Sequence, residues 1–263
     1  MKTVILCGGQ GTRLKEETEF RPKPMVPIGK FPILWHIMKI YNHFGHNNFI
    51  LALGYKGDMI KEYFMNYRWH ISDFTLNIKS KHTEYHNFHE LEDWNITFAD
   101  TGLESQTSLR LIKLKKYVEN EDMFMLTYGD GIADVNIDEL IKFHKEKGKL
   151  ITITGITPVS QYGVIDVDKD GLAKVFTEKP LSKNMINGGF MVVNKEIFNY
   201  LDENENIMFE EILPRLAKKK LVTIFHHTGF WHSMDTYRDY VNLNKMWEEK
   251  NKSWAVWEND VKP

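Results

Sequence analysis

Short apolar runs alternate along this chain with stretches whose apolar residues recur at helical spacing. Thr3 to Cys7 is a continuous apolar run closed by glycine, the pattern of a strand buried on both faces. Ile33, Leu34, Ile37, Met38 and Tyr41 then line one helix face, with His36, Lys39 and Asn42 between them and Gly45 as a C-cap. Phe49 to Leu53 predicts the next strand, and Met59, Ile60, Tyr63, Phe64 and Tyr67 the next helix. The rhythm repeats with a strand from Ile96 to Ala99, a helix from Leu109 to Val118 and a strand from Phe124 to Thr127. A helix face of Ile137, Leu140, Ile141 and His144 follows, then a strand from Leu150 to Thr154. Alternation at this spacing predicts an α/β fold with a doubly wound, mostly parallel, Rossmann-like sheet.

The second half departs from this rhythm. Gly163 to Val167 and Lys174 to Thr177 flank Asp168-Lys169-Asp170-Gly171, a hairpin signal, and Phe190 to Val193 predicts one more strand. Residues 70–95 have weak periodicity and many histidines and aromatics, which suggests an inserted loop or hairpin meeting another subunit. His82, His86 and His89 within it share helical spacing, but the neighbouring aromatics favour packing over a metal site. From about Trp231 a helix is expected, followed by Trp254 and Trp257, a second candidate subunit contact. The expected layout is one domain over residues 1–230, with a small β insertion at about 70–95. A C-terminal helical appendage over 231–263 would pack on it.

Composition narrows the function classes. The 263 residues are 42 % apolar, ample for one large core. Thirty-four Lys and Arg against 36 Asp and Glu give a net charge of −2, so neither nucleic acid nor a membrane surface is an expected partner. Phosphate-binding charge must therefore be local. A single cysteine, Cys7, excludes a disulfide framework and fits a reducing cytoplasm. The opening apolar run is too short for a signal peptide, and no stretch approaches the roughly 20 apolar residues of a membrane span.

Chemistry enters where the strands end. In doubly wound sheets ligands bind beyond the carboxyl ends of the strands, where Gly8 to Arg13 and Gly129 to Gly131 fall. Gly8, Gly9 and Gly11 would let backbone N–H groups approach phosphate oxygens. The loop is neither a dinucleotide fingerprint nor a P-loop, and by itself also fits an ordinary strand-to-helix turn. Arg13 can fork onto phosphate, and Lys23 is held in the stiff frame Pro22-Lys23-Pro24-Met25. Asp130, between two glycines at a strand end, is the best candidate ligand for Mg²⁺, which takes one or two carboxylates plus phosphates and water. Its alternative is a turn aspartate capping the next segment.

Gly8-Gly9-Gln10-Gly11-Thr12-Arg13-Leu14, together with Pro22-Lys23-Pro24-Met25, resembles the signature of the sugar nucleotidyltransferases. Five further blocks resemble the cytidylyltransferase branch that acts on glucose 1-phosphate. They are Pro32 to Met38, Gly54-Tyr55-Lys56-Gly57, Tyr128-Gly129-Asp130-Gly131, Ile186 to Phe190 and Gly229 to Thr236. The resemblance runs nearly end to end. It implies the nucleotidyltransferase fold, CTP and a sugar 1-phosphate as small-molecule substrates, Mg²⁺ as cofactor, and a homo-oligomer.

The resemblance also assigns roles. Arg13, Lys23 and Asp130 would be catalytic. Leu6, Gly8, Gly9, Gly11, Thr12, Thr107 and Arg110 would join them around the nucleotide, with Arg110 matching an arginine associated with the cytosine base. Tyr128, Gly163, Glu178, Lys179, Asn187 and Gly188 would hold the sugar phosphate. Asp235 matches a second metal ligand beside Asp130, with the N-cap of the following helix as its alternative. The chemistry would be in-line attack of the sugar phosphate on the α-phosphorus of CTP, with pyrophosphate leaving and neither a general base nor a covalent intermediate required.

One block departs from the branch, which has Thr-Gly-Gly-Arg where this chain has Thr107-Ser108-Leu109-Arg110. That leaves open another nucleoside triphosphate, or another sugar or polyol phosphate. A silent nucleotide-binding regulator is the rival from outside the enzymes; it predicts loss of Lys23 or of a metal carboxylate, and both are present.

Overall fold

The computed structural model describes residues 1–86, 91–160, 162–182 and 184–258. Seven strands form the central sheet: β1 (Thr3–Leu6), β2 (Asn48–Leu53), β3 (Asn95–Asp100), β4 (Met123–Tyr128), β5 (Ile151–Ile156), β6 (Ile186–Asn194) and β7 (Val222–His227). Their spatial order is β7-β5-β6-β4-β1-β2-β3. All neighbours pair in parallel except β6, which runs antiparallel to both β4 and β5. The mostly parallel α/β sheet expected from the sequence is therefore the observed one. Edge strand β7 was not among the sequence-predicted strands.

The continuous apolar strands are explained by two buried faces. Ile5, Leu51, Met125 and Val192 share one core with Ile33, Leu34, Ile37, Ile40 and Tyr41 of the helix Ile33–His43. Val4, Leu6, Ile50, Ala52, Leu126 and Met191 point the other way. They pack on Leu111 from the helix Thr107–Lys113, and on Phe209, Ile212 and Leu216 from the helix Phe209–Lys218. Each fully buried large aliphatic side chain contributes about 1.5–3 kcal/mol. The helix Ile137–Lys147 is delimited as its sequence suggests: the Asn136 side chain accepts from Glu139 N, and Gly148 closes it in the left-handed conformation.

Two hairpins project from this body. Phe74–Leu76 with Thr83–Tyr85 lies within the 70–95 insertion, whose His89 falls outside the described residues. The second, Val164–Val167 with Ala173–Thr177, forms an arm whose strands pair with each other alone, leaving Val164, Ile165, Val167, Val175 and Phe176 half exposed.

The C-terminal region differs from its expected helical start at Trp231. Trp231–Ser233 is a strand paired with Gly131–Ala133, and the helix begins at Tyr237. Trp254 is fully buried within its own chain, against Phe230, Trp247 and His36, so it is core and not subunit contact.

Candidate active site

The order β3-β2-β1-β4 makes the β1/β4 boundary the point where chain connections reverse direction. A crevice opens there beyond the strand ends. β1 delivers Gly8 to Arg13 to it, and β4 delivers Gly129 to Gly131. Gly129 N donates to Leu6 O at 3.1 Å, and Cys7 N to Ala52 O at 3.0 Å, which ties the loop roots together. The cavity encloses about 1800 Å³, more than the usual pocket for one small ligand. Its wall includes Leu6, Gly8, Gly9, Gly11, Thr12, Arg13, Lys23, Thr107, Arg110, Tyr128, Asp130, Asn187, Gly188 and Asp235.

The loop's geometry follows from its glycines. Gly11 has φ +65°, a left-handed conformation in which a side chain is strained, and its carbonyl accepts from Thr18 Oγ1 at 2.9 Å. Gly9, Thr12 and Arg13 are exposed. A cluster of four charges sits opposite. Lys23 Nζ donates to Asp130 Oδ2 at 2.6 Å and to Asp235 Oδ1 at 2.8 Å, while Arg13 Nη2 lies 2.8 Å from the same Asp235 oxygen. Ser233 Oγ donates to the other Asp235 oxygen at 2.7 Å.

Burial works against the Lys23 charge, but Asp130 and then Asp235 outweigh it and hold its pKa above that of a free lysine. Burial alone would raise Asp235; Lys23, Ser233 and Arg13 instead hold it below the ordinary carboxylate value. Both structural alternatives for the aspartates fail on this geometry. Thr236, not Asp235, caps the Tyr237–Glu248 helix by accepting from Asp239 N, and the Asp130 side chain faces Lys23.

The two carboxylates converge on one ammonium, so they suit a divalent cation that phosphate and water oxygens would complete. Among the described residues, no group of three or more His, Cys, Asp or Glu forms a cage. Cys7 is buried and its thiol is pushed up by burial, which removes it as a nucleophile.

Arg110 lines the cavity with its guanidinium turned to protein oxygens. Its Nη1 donates to Leu53 O, Thr101 Oγ1 and Gly102 O at 3.0, 2.7 and 2.9 Å; its Nη2 donates to Gly8 O and Leu103 O at 3.0 and 3.2 Å. Both terminal nitrogens are thus engaged by the protein, and the residue is only 4 % exposed. The altered block supports this. Ser108 Oγ donates to Ile207 O at 2.5 Å, and Thr107 Oγ1 accepts from Phe209 N at 2.7 Å, binding this helix to the next.

The sugar-side residues divide into two groups. Tyr128, Asn187 and Gly188 line the cavity. β4 ends on Tyr128, and β6 brings Asn187 and Gly188 there through an irregularity in its pairing with β5, between Ile153 and Gly155, where Gly189 and Phe190 both have positive φ. Asn187 Nδ2 donates to Tyr128 Oη at 3.0 Å, and Trp231 Nε1 to Gly188 O at 2.8 Å. Gly163, Glu178 and Lys179 are not brought to the cavity: they stand at the root of the arm, which no third strand among the described residues holds against the body. Sequence reasoning also missed a residue. Glu210 lines the cavity, and Tyr128 Oη donates to its Oε1. The two are 82 positions apart, and no motif spacing links them.

A glycine loop, paired cations and facing carboxylates at the switch point define an enzyme that handles phosphate esters. The chain belongs to the nucleotidyl transferase family, whose profile matches residues 2–250. It is 48 % identical over 258 residues to a Bacillus subtilis (strain 168) protein named "Probable glucose-1-phosphate cytidylyltransferase", covering 98 % of this chain and 100 % of that one. It is 46 % identical over 259 residues to the glucose-1-phosphate cytidylyltransferase of Salmonella typhimurium (strain LT2), with the same coverage. Among solved structures, HddC from Yersinia pseudotuberculosis complexed with GMP-PN shares the fold. Its TM-score is 0.67 at 23 % identity, over 94 % of this chain and 99 % of that one.

Proposed function

We propose that the protein joins CTP to α-D-glucose 1-phosphate, giving CDP-glucose and pyrophosphate. The observation that carries this reading is the convergence of Lys23 and Arg13 with Asp130 and Asp235 beside the Gly8–Arg13 loop. Full-length identity of 46–48 % to relatives of that name supports the choice of CTP and glucose 1-phosphate.

Two anionic substrates must approach each other. At an effective dielectric near 20, two unit charges about 4 Å apart interact by about 4 kcal/mol, so neutralisation dominates the barrier. The loop amides and Arg13 bind the triphosphate, and Lys23 faces the phosphate that reacts. A phosphate oxygen of the sugar 1-phosphate forms the new bond to the α-phosphorus. The bond from that phosphorus to the bridging oxygen breaks, and its electron pair leaves with pyrophosphate. The sugar phosphate is already ionised near neutral pH, so no side chain has to remove a proton. Mg²⁺ held by Asp130 and Asp235 would supply further charge neutralisation at the phosphates. Tyr128, Asn187 and Gly188 orient the sugar.

The single buried Cys7 supports a cytoplasmic setting, and the apolar arm supports a homo-oligomer. No helix among the described residues is long and apolar enough to cross a membrane. The test is pyrophosphate release from each nucleoside triphosphate in turn, with Mg²⁺ and glucose 1-phosphate. CTP is expected to turn over fastest; faster turnover of UTP or dTTP overturns the assignment.

A further inference from the structure

We infer that Glu210 binds a hydroxyl of the sugar and sets which hexose 1-phosphate the cavity accepts, an inference that rests on the sugar-phosphate transfer proposed above.

The argument is a count of donors and acceptors. Tyr128 Oη has one hydrogen, and it goes to Glu210 Oε1. Burial, and after it Glu210, pushes the Tyr128 pKa up, so the phenol stays a donor. The phenol oxygen in turn accepts from Asn187 Nδ2 at 3.0 Å. The orientation of the Asn187 amide is fixed by Gly189 N, which donates to its Oδ1 at 2.9 Å.

Within this triad a donor and an acceptor are then left over. One is the second N–H of Asn187. The other is Glu210 Oε2, a buried carboxylate oxygen without a hydrogen-bond partner. A buried charged acceptor left without a donor is costly, and native structures rarely keep one without a reason. Glu210 and Asn187 both line the cavity, and Tyr128 fixes one against the other. An acceptor and a donor left over on the two residues that Tyr128 links match a hydroxyl, which gives one hydrogen bond and receives another. A site built to bond a hydroxyl rejects the analogue that lacks it.

Glu210→Gln tests this. The amide keeps an oxygen for Tyr128 but places a donor where Oε2 accepts. Steady-state kinetics are measured for both proteins with glucose 1-phosphate and with its 2-, 3-, 4- and 6-deoxy analogues. The variant should lose about 10- to 100-fold in kcat/KM for glucose 1-phosphate, with KM for CTP within about twofold of the parent. One deoxy analogue should cost the parent at least about tenfold and the variant under about threefold, the signature of a coupled pair. Unchanged penalties for every analogue, or an equal loss in CTP binding, overturn the proposal. Should Glu210→Gln not fold, Glu210→Asp, which keeps the charge and withdraws it by one methylene, goes through the same cycle. If the parent prefers another sugar 1-phosphate, the cycle is run on deoxy analogues of that substrate. The choice of substrate and the role of Glu210 then fail separately.

Discussion

Replacing Gly8 by alanine sets a methyl group against the best-connected side chain of the crevice. A Cβ on Gly8 would lie 2.1 Å from Arg110 Nη1 and 2.3 Å from Cζ. Such contacts are cheap when a flexible side chain can swing aside. This one is held by five acceptors, Gly8 O, Leu53 O, Thr101 Oγ1, Gly102 O and Leu103 O. Hydrogen bonds to a charged group are worth about 1.5–3 kcal/mol each. The guanidinium would have to give up at least two of them and recover part of the loss from water in the cavity. The net cost of Gly8→Ala is therefore about 3 kcal/mol, a large share of a typical stability of about 5–15 kcal/mol. For a chain of this size that lowers the melting temperature by about 6–12 °C, read by calorimetry or tryptophan fluorescence.

The control is the same change in an Arg110→Ala background, where the space is empty. There Gly8→Ala should cost under about 0.5 kcal/mol, leaving a coupling energy of about 2–3 kcal/mol. Equal costs in the two backgrounds would refute the idea that Arg110 braces the loop. Gly54→Ala should differ, keeping part of its cost in both backgrounds, since its Cβ would meet Arg110 Nη1 at 2.5 Å but also the backbone oxygen of Gly8 at 2.8 Å.

Two further outcomes are expected. His36 is fully buried, accepts from Trp254 Nε1 at Nδ1, contacts Ile28 O through Nε2, and is pushed by burial from 6.5 down to about 4. The unfolded chain then takes up the proton first, so stability is full above pH 6.5 and falls as pH drops toward 4. Between pH 7 and 5 the parent should lose about 2 kcal/mol more than His36→Gln in urea titrations; an equal slope in both defeats the reasoning. Lys23→Gln should lower kcat/KM in the pyrophosphate assay by about 100- to 1000-fold, because the amide cannot offset charge at the phosphates; a loss under about threefold rules out the role given to Lys23.

Much of this architecture is legible in the sequence because a strand buried on both faces must be apolar at every position. Thr3 to Cys7 and Phe49 to Leu53 show it, and the parallel sheet follows. Strand β7 escapes notice because it lies at the sheet edge, where Val222-Thr223-Ile224-Phe225 need not be continuously apolar. Its β-branched content was the available signal. The phosphate end is legible for a local reason: loop, Arg13 and Lys23 fall within 16 residues of one another, so chain connectivity alone nearly brings them together.

Residues joined only by the fold are harder to read, as Arg110 and Glu210 show in different ways. A motif attached Arg110 to the base, but a guanidinium has five N–H groups and goes wherever carbonyls are densest. Three strand ends, after β1, β2 and β3, leave Gly8 O, Leu53 O and Gly102 O pointing into one small volume. A motif records that an arginine is needed there without recording which way its fork points. Glu210 has no motif at all. Its partner Tyr128, and Asn187 that bonds Tyr128 in turn, come from β4 and β6, which adjoin only because β6 inserts antiparallel between β4 and β5. The helix carrying Glu210 packs across that same face of the sheet. Periodicity predicts that each of these elements exists but not their order in the sheet. The order is what sets a tyrosine against a glutamate 82 residues away and leaves one carboxylate oxygen unpaired. The sugar end of the cavity is a product of topology, whereas the phosphate end is a product of local sequence.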